Sequence, residues 1–233
     1  MILTAHQPSY LPWLGLFAKI EKSDIFVYFD IVSYSKWDWS SRNKIRNQKS
    51  WMWLTVPVLT EGKHDQIFTE VKIDNKKRWA RKHWTSISMN YSRAPFFSSY
   101  ENFFRDVYET EWNYLSELDE HITKYLMESL GIKTKFVKAS TSLQLEGKKS
   151  SLVLDMCKKM NASTIIFGGE GKNYAQVEDF ESVGIEVIFQ EYEHPVYPQI
   201  HGEFMPNMSI IDLLFNCGPK SLDILSQKDQ IQK

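Results

Sequence analysis

The residues best suited to chemistry stand near the start of the chain, where His6 and Gln7 follow the apolar residues 1–5. An imidazole exchanges protons near neutral pH, so His6 is a candidate general base. Pro8 cannot continue a central strand, and apolar residues recur at helical spacing over residues 11–20. The pattern predicts a strand-to-helix turn, where open α/β sheets bind ligands. The alternative is a partly buried histidine that bonds only to its neighbours.

A second candidate, Asp30, ends the aromatic and β-branched residues 24–30, which are typical of a strand. A strand, a helix and a strand within thirty residues predict a parallel pair joined by a right-handed crossover. His6 and Asp30 should then share one edge of the sheet. There Asp30 or Gln7 could orient the imidazole, and Asp30 could instead bind a sugar hydroxyl. An aspartate that only caps the next turn is the alternative.

Residues 33–46 are polar, aromatic and basic without a regular period, which predicts a functional loop. Arginine forks and a lysine charge suit a diphosphate, and the rings suit stacking on a base or sugar. An ordinary surface loop with rings packed beneath it is the alternative. The residues assigned to diphosphate contact are Arg42, Lys44 and Arg46, those assigned to stacking are Tyr34, Trp37 and Trp39, and those crowded around His6 are Tyr10 and Trp13.

A glycine-rich turn follows the buried strand predicted at residues 163–167. Gly168, Gly169 and Lys172 in this turn could present backbone amides and a cation to a phosphate or carboxylate of a cofactor. The turn lacks both the P-loop and the dinucleotide-binding patterns. A tight turn without a ligand explains the glycines equally well.

The whole chain predicts one α/β domain over residues 1–225, with a mostly parallel sheet and flanking helices. A helical insertion is expected at about residues 75–131, an antiparallel hairpin from residues 51–59 and 68–74, and a frayed tail at residues 226–233. Such a chain of 233 residues can bury a large core.

Composition restricts the class of protein further. The net charge of −1 gives no general attraction to nucleic acid, and no apolar run is long enough for membrane insertion. Two cysteines without metal-ligand spacing indicate buried thiols and a cytoplasmic protein. The six histidines stand apart, so no metal site is expected. Exposed aromatic residues would suit a homodimer.

Five motifs together resemble the WbqC-like protein family. They are HQPSYLPWLG at residues 6–15, SDIFVYFD at 23–30, RNKI at 42–45, HPVYPQ at 194–199 and SIIDLLFN at 209–216. Members of that family are encoded among bacterial surface-polysaccharide (O-antigen) genes. The resemblance implies work on a nucleotide-linked sugar, and it implies substrate-binding roles for the motif residues Asn43, His194, Tyr197 and Gln199.

The first hypothesis is an N-acyltransferase that moves an acyl group from acyl-CoA to the amine of a nucleotide-linked amino sugar. His6 would act as the base, backbone amides near Pro8 or Gly168 as oxyanion donors, and Arg42 and Arg46 as diphosphate ligands. A nucleotidyltransferase or ligase is a second hypothesis, although Pro8 and Ser9 stand where an HxGH pair would continue. A non-catalytic sugar-binding protein of polysaccharide assembly is the third.

Overall fold

A computed structural model describes residues 1–36, 38–62, 65–227 and 229–232, the last four by their backbone alone. The strands are β1 (Ile2–His6), β2 (Ile25–Tyr28), β3 (Arg42–Arg46), β4 (Trp51–Thr55), β5 (Lys135–Lys138), β6 (Thr164–Phe167), β7 (Glu186–Tyr192) and β8 (Asp229–Gln232). The helices are α1 (Leu14–Glu21), α2 (Trp79–Tyr91), α3 (Phe97–Glu109), α4 (Leu115–Leu130), α5 (Ala139–Ser142), α6 (Ser150–Lys159), α7 (Val177–Glu181), α8 (Ile210–Cys217) and α9 (Ser221–Ser226).

The central sheet has the strand order β5-β2-β1-β6-β7-β8. Neighbouring strands from β5 to β7 are parallel, and β8 is antiparallel to β7. Strands β2 and β6 are buried along their whole length, as expected for strands covered on both faces. The predicted α/β fold with a mostly parallel sheet is confirmed.

The order in which the chain adds strands to the sheet reverses at β1. It passes from β1 to β2 and β5 on one side, and then crosses to β6 and β7 on the other side. The carboxyl ends of β1 and β6 therefore flank a topological switch point, where ligands bind in open α/β sheets. His6 ends β1, and Gly168 directly follows β6.

Alternate side chains of the strands point to opposite faces of the sheet and pack into two separate cores. Phe26 and Tyr28 of β2 belong to the core beneath α1, α8 and the helical insertion α2–α4. Leu3 and Val27 belong to the core on the opposite face, beneath α6 and α7. The last helix of the insertion, α4, ends at Gly131 with φ 76°, a left-handed conformation that glycine adopts without strain.

The antiparallel hairpin differs from the one predicted, because β4 pairs with β3 and not with residues 68–74. Phe68–Glu70 is a 3-10 turn, and only the isolated pair Val58 and Ile73 links the two segments that were expected to pair. Residues 42–46, predicted to lie in a loop, form β3. Buried Asn43 and Ile45 alternate with basic residues there, and charge at the outer positions gives a weak strand signal in sequence.

The end of the chain also differs from the prediction. Residues 229–232 form an antiparallel strand on β7 where a frayed tail was expected. A polar composition gives no strand signal, but the edge of β7 offers unpaired backbone donors and acceptors that another segment of the chain can satisfy.

Candidate functional site

His6 stands at the carboxyl end of β1, paired in register with Tyr28 of β2. Its Nδ1 lies 2.7 Å from the carbonyl oxygen of Gln7. A carbonyl only accepts hydrogen bonds, so Nδ1 of the neutral imidazole carries the proton and Nε2 keeps its lone pair. None of the residues that the structure describes hydrogen-bonds to Nε2. His6 therefore presents a proton acceptor at the switch point.

The environment keeps this imidazole uncharged. Burial is the largest cause that lowers the pKa of His6, to about 4, and the nearby positive charge of Lys19 lowers it further. The Nζ of Lys19 is itself buried and donates to the carbonyl oxygen of Ala5 at 3.1 Å. The Gln7 carbonyl and Asp38 raise the pKa by less. At neutral pH the side chain is consequently the free base.

Gln7 is held by Asp38, a residue that sequence reasoning missed. The side-chain amide of Gln7 donates to Asp38 Oδ2 at 2.9 Å, and Asp38 Oδ1 accepts from the backbone N–H of Trp39 at 2.7 Å. The only sequence signal for this contact is that Asp38 is an acid within a strongly basic segment.

The turn after His6 is anchored to the β3–β4 ribbon and to the segment before it. The backbone N–H of Tyr10 donates to the carbonyl of Trp39 at 3.3 Å, and the side-chain amide of Asn43 donates to the carbonyl of Leu11 at 2.6 Å. Leu11 is fully buried and has φ 45°, a left-handed conformation that is strained for a leucine. Asn43 thus stabilises the strained turn that places His6.

Tyr10 and Trp13 both lie in the segment that follows His6, but their surroundings differ. The Tyr10 hydroxyl is buried, 2.8 Å from Nδ1 of His83 and 2.6 Å from the hydroxyl of Tyr108. Its role is to join the turn to the helical insertion. Trp13 is 37% exposed, and its ring meets the edge of Tyr192 at a centroid distance of 5.5 Å.

The outer face of the β3–β4 ribbon carries what we call the tryptophan face, which consists of Trp39, Arg42, Lys44, Trp51 and Trp53. The Lys44 Nζ lies 4.4 Å from the ring centroid of Trp51 and 5.2 Å from that of Trp53. The guanidinium of Arg42 lies 4.5 Å from the Trp53 centroid. Cations over indole faces are favourable contacts.

Comparison with known proteins identifies the chain's relatives. The sequence profile of the WbqC-like protein family matches residues 7–224. The chain belongs to the WbqC-like protein family. It is similar to the uncharacterized protein Rv1507c of Mycobacterium tuberculosis, with 32% identity over 221 residues that cover 94% of this chain and 95% of the relative. No solved structure matches it. The resemblance seen in the sequence motifs is thereby confirmed.

Asp30 of this WbqC-like chain shares an edge of the sheet with His6 but is held by other residues. Its two carboxylate oxygens accept from the backbone N–H and the hydroxyl of Ser140 at 2.9 and 2.6 Å. Lys138 Nζ lies 3.8 Å from the same carboxylate. The buried Asp30 therefore ties the end of β2 to the end of β5, and the Gln7 backbone carbonyl orients the imidazole instead.

Arg46, Tyr197 and Gln199 meet in an interior network around Asp212. The buried Asp212 accepts from the hydroxyls of Tyr91 and Tyr197 and from the amide of Gln199, at 2.7, 2.8 and 2.8 Å. These contacts hold Tyr197 and Gln199 in the interior, and Nε of Arg46 reaches Gln199 Oε1 at 3.4 Å. A lone acid within the apolar stretch at residues 209–216 was the sequence signal for Asp212.

The guanidinium of Arg46 donates hydrogen bonds to backbone carbonyls. The acceptors include Asn47 at 3.0 Å, His201 at 2.7 Å and Glu203 at 2.9 Å. Arg46 is 3% exposed. Its side chain therefore joins the β3–β4 ribbon to the loop after β7 and does not reach a diphosphate at the surface.

The remaining predicted residues each contact a different part of the chain. His194 follows β7, and its Nδ1 donates to the carbonyl of Pro195 at 2.9 Å. Tyr34 donates to the hydroxyl of Ser41 at 3.3 Å. Lys172 pairs with Glu191 at 2.6 Å on the surface. Trp37 lies outside the described residues.

The glycine turn leaves space beside the switch point. A Cβ built on Gly168 would meet no atom within 4 Å, and one on Gly169 would meet only the carbonyl of Gln190 at 3.7 Å. Within the described part of the chain, no group of three or more His, Cys, Asp or Glu is arranged to hold a metal ion. No helix among the described residues is long and apolar enough to cross a membrane.

Proposed function

We propose that this WbqC-like chain is a transferase that acylates the amine of a nucleotide-linked amino sugar, with acyl-CoA as donor and His6 as the group that moves protons. The observation that carries the proposal is the neutral imidazole at the switch point, with Nδ1–H fixed on the Gln7 carbonyl and Nε2 available. The substrate class is the one that the resemblance to the WbqC-like family implies.

The low pKa of His6 defines when the proton moves. A base with a pKa of about 4 is too weak to deprotonate an alkylammonium ion before attack. The neutral amine attacks the thioester carbon, its nitrogen becomes strongly acidic as the C–N bond forms, and Nε2 then accepts the proton. Collapse of the tetrahedral intermediate breaks the C–S bond, and the imidazolium of His6 returns the proton to the thiolate. The products are the amide and the free thiol.

The glycine turn after β6 lies on the same edge of the sheet as His6. Continuing the register of β1 and β6 by two residues beyond the pair Thr4 and Ile166 places Gly168 opposite His6. Backbone amides of this glycine turn are candidate donors to the oxyanion of the intermediate. Lys172 is less suited to the donor's phosphates because it is paired with Glu191.

The test is turnover by the purified chain with nucleotide-linked amino sugars and acyl-CoAs, followed by thiol release and product mass. We expect product from wild type and a loss of about 10²-fold or more in His6→Gln. His121→Gln, at an exposed histidine on α4, is the matched control and should retain wild-type rates. If no pair yields product with folded protein, the acyltransferase proposal is wrong.

A non-catalytic sugar-binding protein is the second candidate. It is favoured by the same low pKa, because an imidazole that stays neutral is a constant hydrogen-bond acceptor for a hydroxyl. Tight binding of a nucleotide sugar, measured by calorimetry, without turnover of any pair would select this function.

A further inference from the structure

The tryptophan face is a separate feature of the ribbon that the chemistry at His6 does not explain. In the register of β3 and β4, Lys44 stands opposite Trp53. Side chains of paired residues point to the same side, so alternation places Asn43 and Ile45 towards the core. Both are buried, whereas Trp51 on the other side is 38% exposed.

Its indole rings form a connected exposed surface. The ring centroids of Trp39 and Trp53 are 5.4 Å apart, and those of Trp53 and Trp51 are 5.7 Å apart. Trp39 is 44% exposed. Exposed indoles that a sheet holds in place are suited to stacking on another planar ring.

The segment that carries this surface is basic, whereas the whole protein is close to neutral. Residues 36–53 contain five Lys or Arg and one acid, in a chain of net charge −1. That acid, Asp38, is bound to Gln7 and to the Trp39 backbone. No carboxylate of the described residues pairs with Lys44, whose Nζ lies only over indole rings. The face therefore offers a positive charge to an anion.

We infer that the tryptophan face binds the nucleoside diphosphate of the substrate, with the base stacked on Trp51 and the diphosphate held by Lys44 and Arg42. The inference rests on the proposed function for its substrate. A planar base and two phosphates match an exposed indole beside cations. A single-stranded nucleic acid would need a longer groove with several successive stacking sites.

The tryptophan face is continuous with the site at His6. The Trp39 carbonyl accepts from the backbone N–H of Tyr10, and the preceding residue, Asp38, holds Gln7. A nucleoside diphosphate on the face would extend its sugar from Trp39 towards the carboxyl end of β1. Base and diphosphate would then be held by the ribbon, and the sugar amine would be presented at the switch point.

The experiment measures binding of UDP, dTDP, GDP, ADP and inorganic pyrophosphate to the full chain by isothermal calorimetry. We expect Lys44→Met to weaken at least one nucleoside diphosphate and pyrophosphate by tenfold or more. Trp51→Ala should weaken the nucleoside diphosphate by a similar factor and leave pyrophosphate unchanged, since only the base stacks. The matched control is Lys72→Met, because Lys72 also lies over a ring, that of Tyr114 at 5.7 Å, away from the face.

Thermal melting of each variant shows whether it is folded, and Trp51→Leu replaces Trp51→Ala if the alanine variant melts early. The inference is wrong if wild type binds none of the four nucleotides, or if both variants bind them like wild type. It is also wrong if an oligonucleotide or vesicles of anionic phospholipid compete for the face more strongly than every nucleotide. The variant His6→Gln separates this inference from the proposed function, because it should lose turnover but bind the nucleoside diphosphate like wild type. Absence of turnover therefore does not by itself contradict the nucleotide-binding site.

Discussion

His6 gains its chemical character from groups that the fold brings to it. The carbonyl of the next residue selects the tautomer, and burial with the charge of Lys19 keeps the ring neutral. A histidine with an ordinary pKa would be partly protonated near pH 6.5. This one is fully available as an acceptor throughout the physiological range.

The pH dependence of turnover tests this picture at the level of one residue. With a His6 pKa of about 4, the acyl transfer rate between pH 6 and 9 should follow only the ionisation of the substrate amine. We expect no inflection near pH 6.5 in kcat/KM, measured with the same amino sugar across that range. An inflection near pH 6.5 that disappears in His6→Gln would contradict the assignment.

At the scale of secondary-structure elements, Arg46 joins the β3–β4 ribbon to the loop after β7. Its guanidinium donates to several backbone carbonyls, and lysine has no fork with which to replace them. We therefore expect Arg46→Lys to lower the free energy of unfolding by about 2–4 kcal/mol, because buried carbonyls lose their donors. Urea denaturation measures this change.

The control is Arg105→Lys on α3, where Arg105 forms an exposed pair with Glu101. It should change the stability by less than about 0.5 kcal/mol. If Arg46→Lys is as stable as wild type but has a raised KM for the nucleotide sugar, Arg46 is a substrate ligand after all, as the sequence first indicated.

At the scale of the whole molecule, the helical insertion buries ionisable groups beneath the turn that carries His6. Burial lowers the pKa of His83 to about 4, an effect that the carbonyl of Thr55 only partly offsets. Burial also raises the pKa of Asp119 well above its usual range, and neither of its carboxyl oxygens bonds to a described residue. Both groups make stability depend on pH.

Acid should destabilise the protein partly through His83. Below pH 6.5 the unfolded chain binds a proton at this histidine and the folded chain does not, so stability falls as pH falls towards 4. A shift from 6.5 to about 4 corresponds to about 3 kcal/mol. In His83→Gln the free energy of unfolding, measured by urea denaturation, should depend less steeply on pH between 6.5 and 4. Some dependence remains, because His6 also has a lowered pKa. An unchanged slope would show that His83 titrates normally.

Asp119 should act in the opposite direction. The unfolded chain loses this proton near its ordinary pKa of about 4 while the folded chain keeps it, so the folded state loses stability as pH rises. We expect Asp119→Asn to melt at a higher temperature than wild type at pH 7, with the difference shrinking towards pH 4. Asp106→Asn, at an exposed position of α3, is the control. A variant that is less stable at pH 7 would mean that the carboxylate is ionised and needed.

The sequence by itself determined the features that depend on local pattern. Apolar runs and helical spacing predicted the parallel strands, the insertion and the turn after His6, because strands covered on both faces and amphipathic helices leave clear periodicities. The motifs also predicted the family correctly. The strand β3 was not predicted, because charged residues at its outer positions make the segment resemble a polar loop.

Only the tertiary structure decided which polar residues lie near His6 and which turn inward. Sequence reasoning predicted Arg42, Arg46 and Gln199 as ligands. Arg42 lies on the outer face, whereas the other two turn inward to carbonyls and Asp212. Similarly, Asp38 accepts a hydrogen bond from Gln7, whereas Asp30 accepts from Ser140. The type of a residue determines which hydrogen bonds it can form, but its bonding partners belong to distant segments of the chain. Strand order and packing alone determine which of those segments meet.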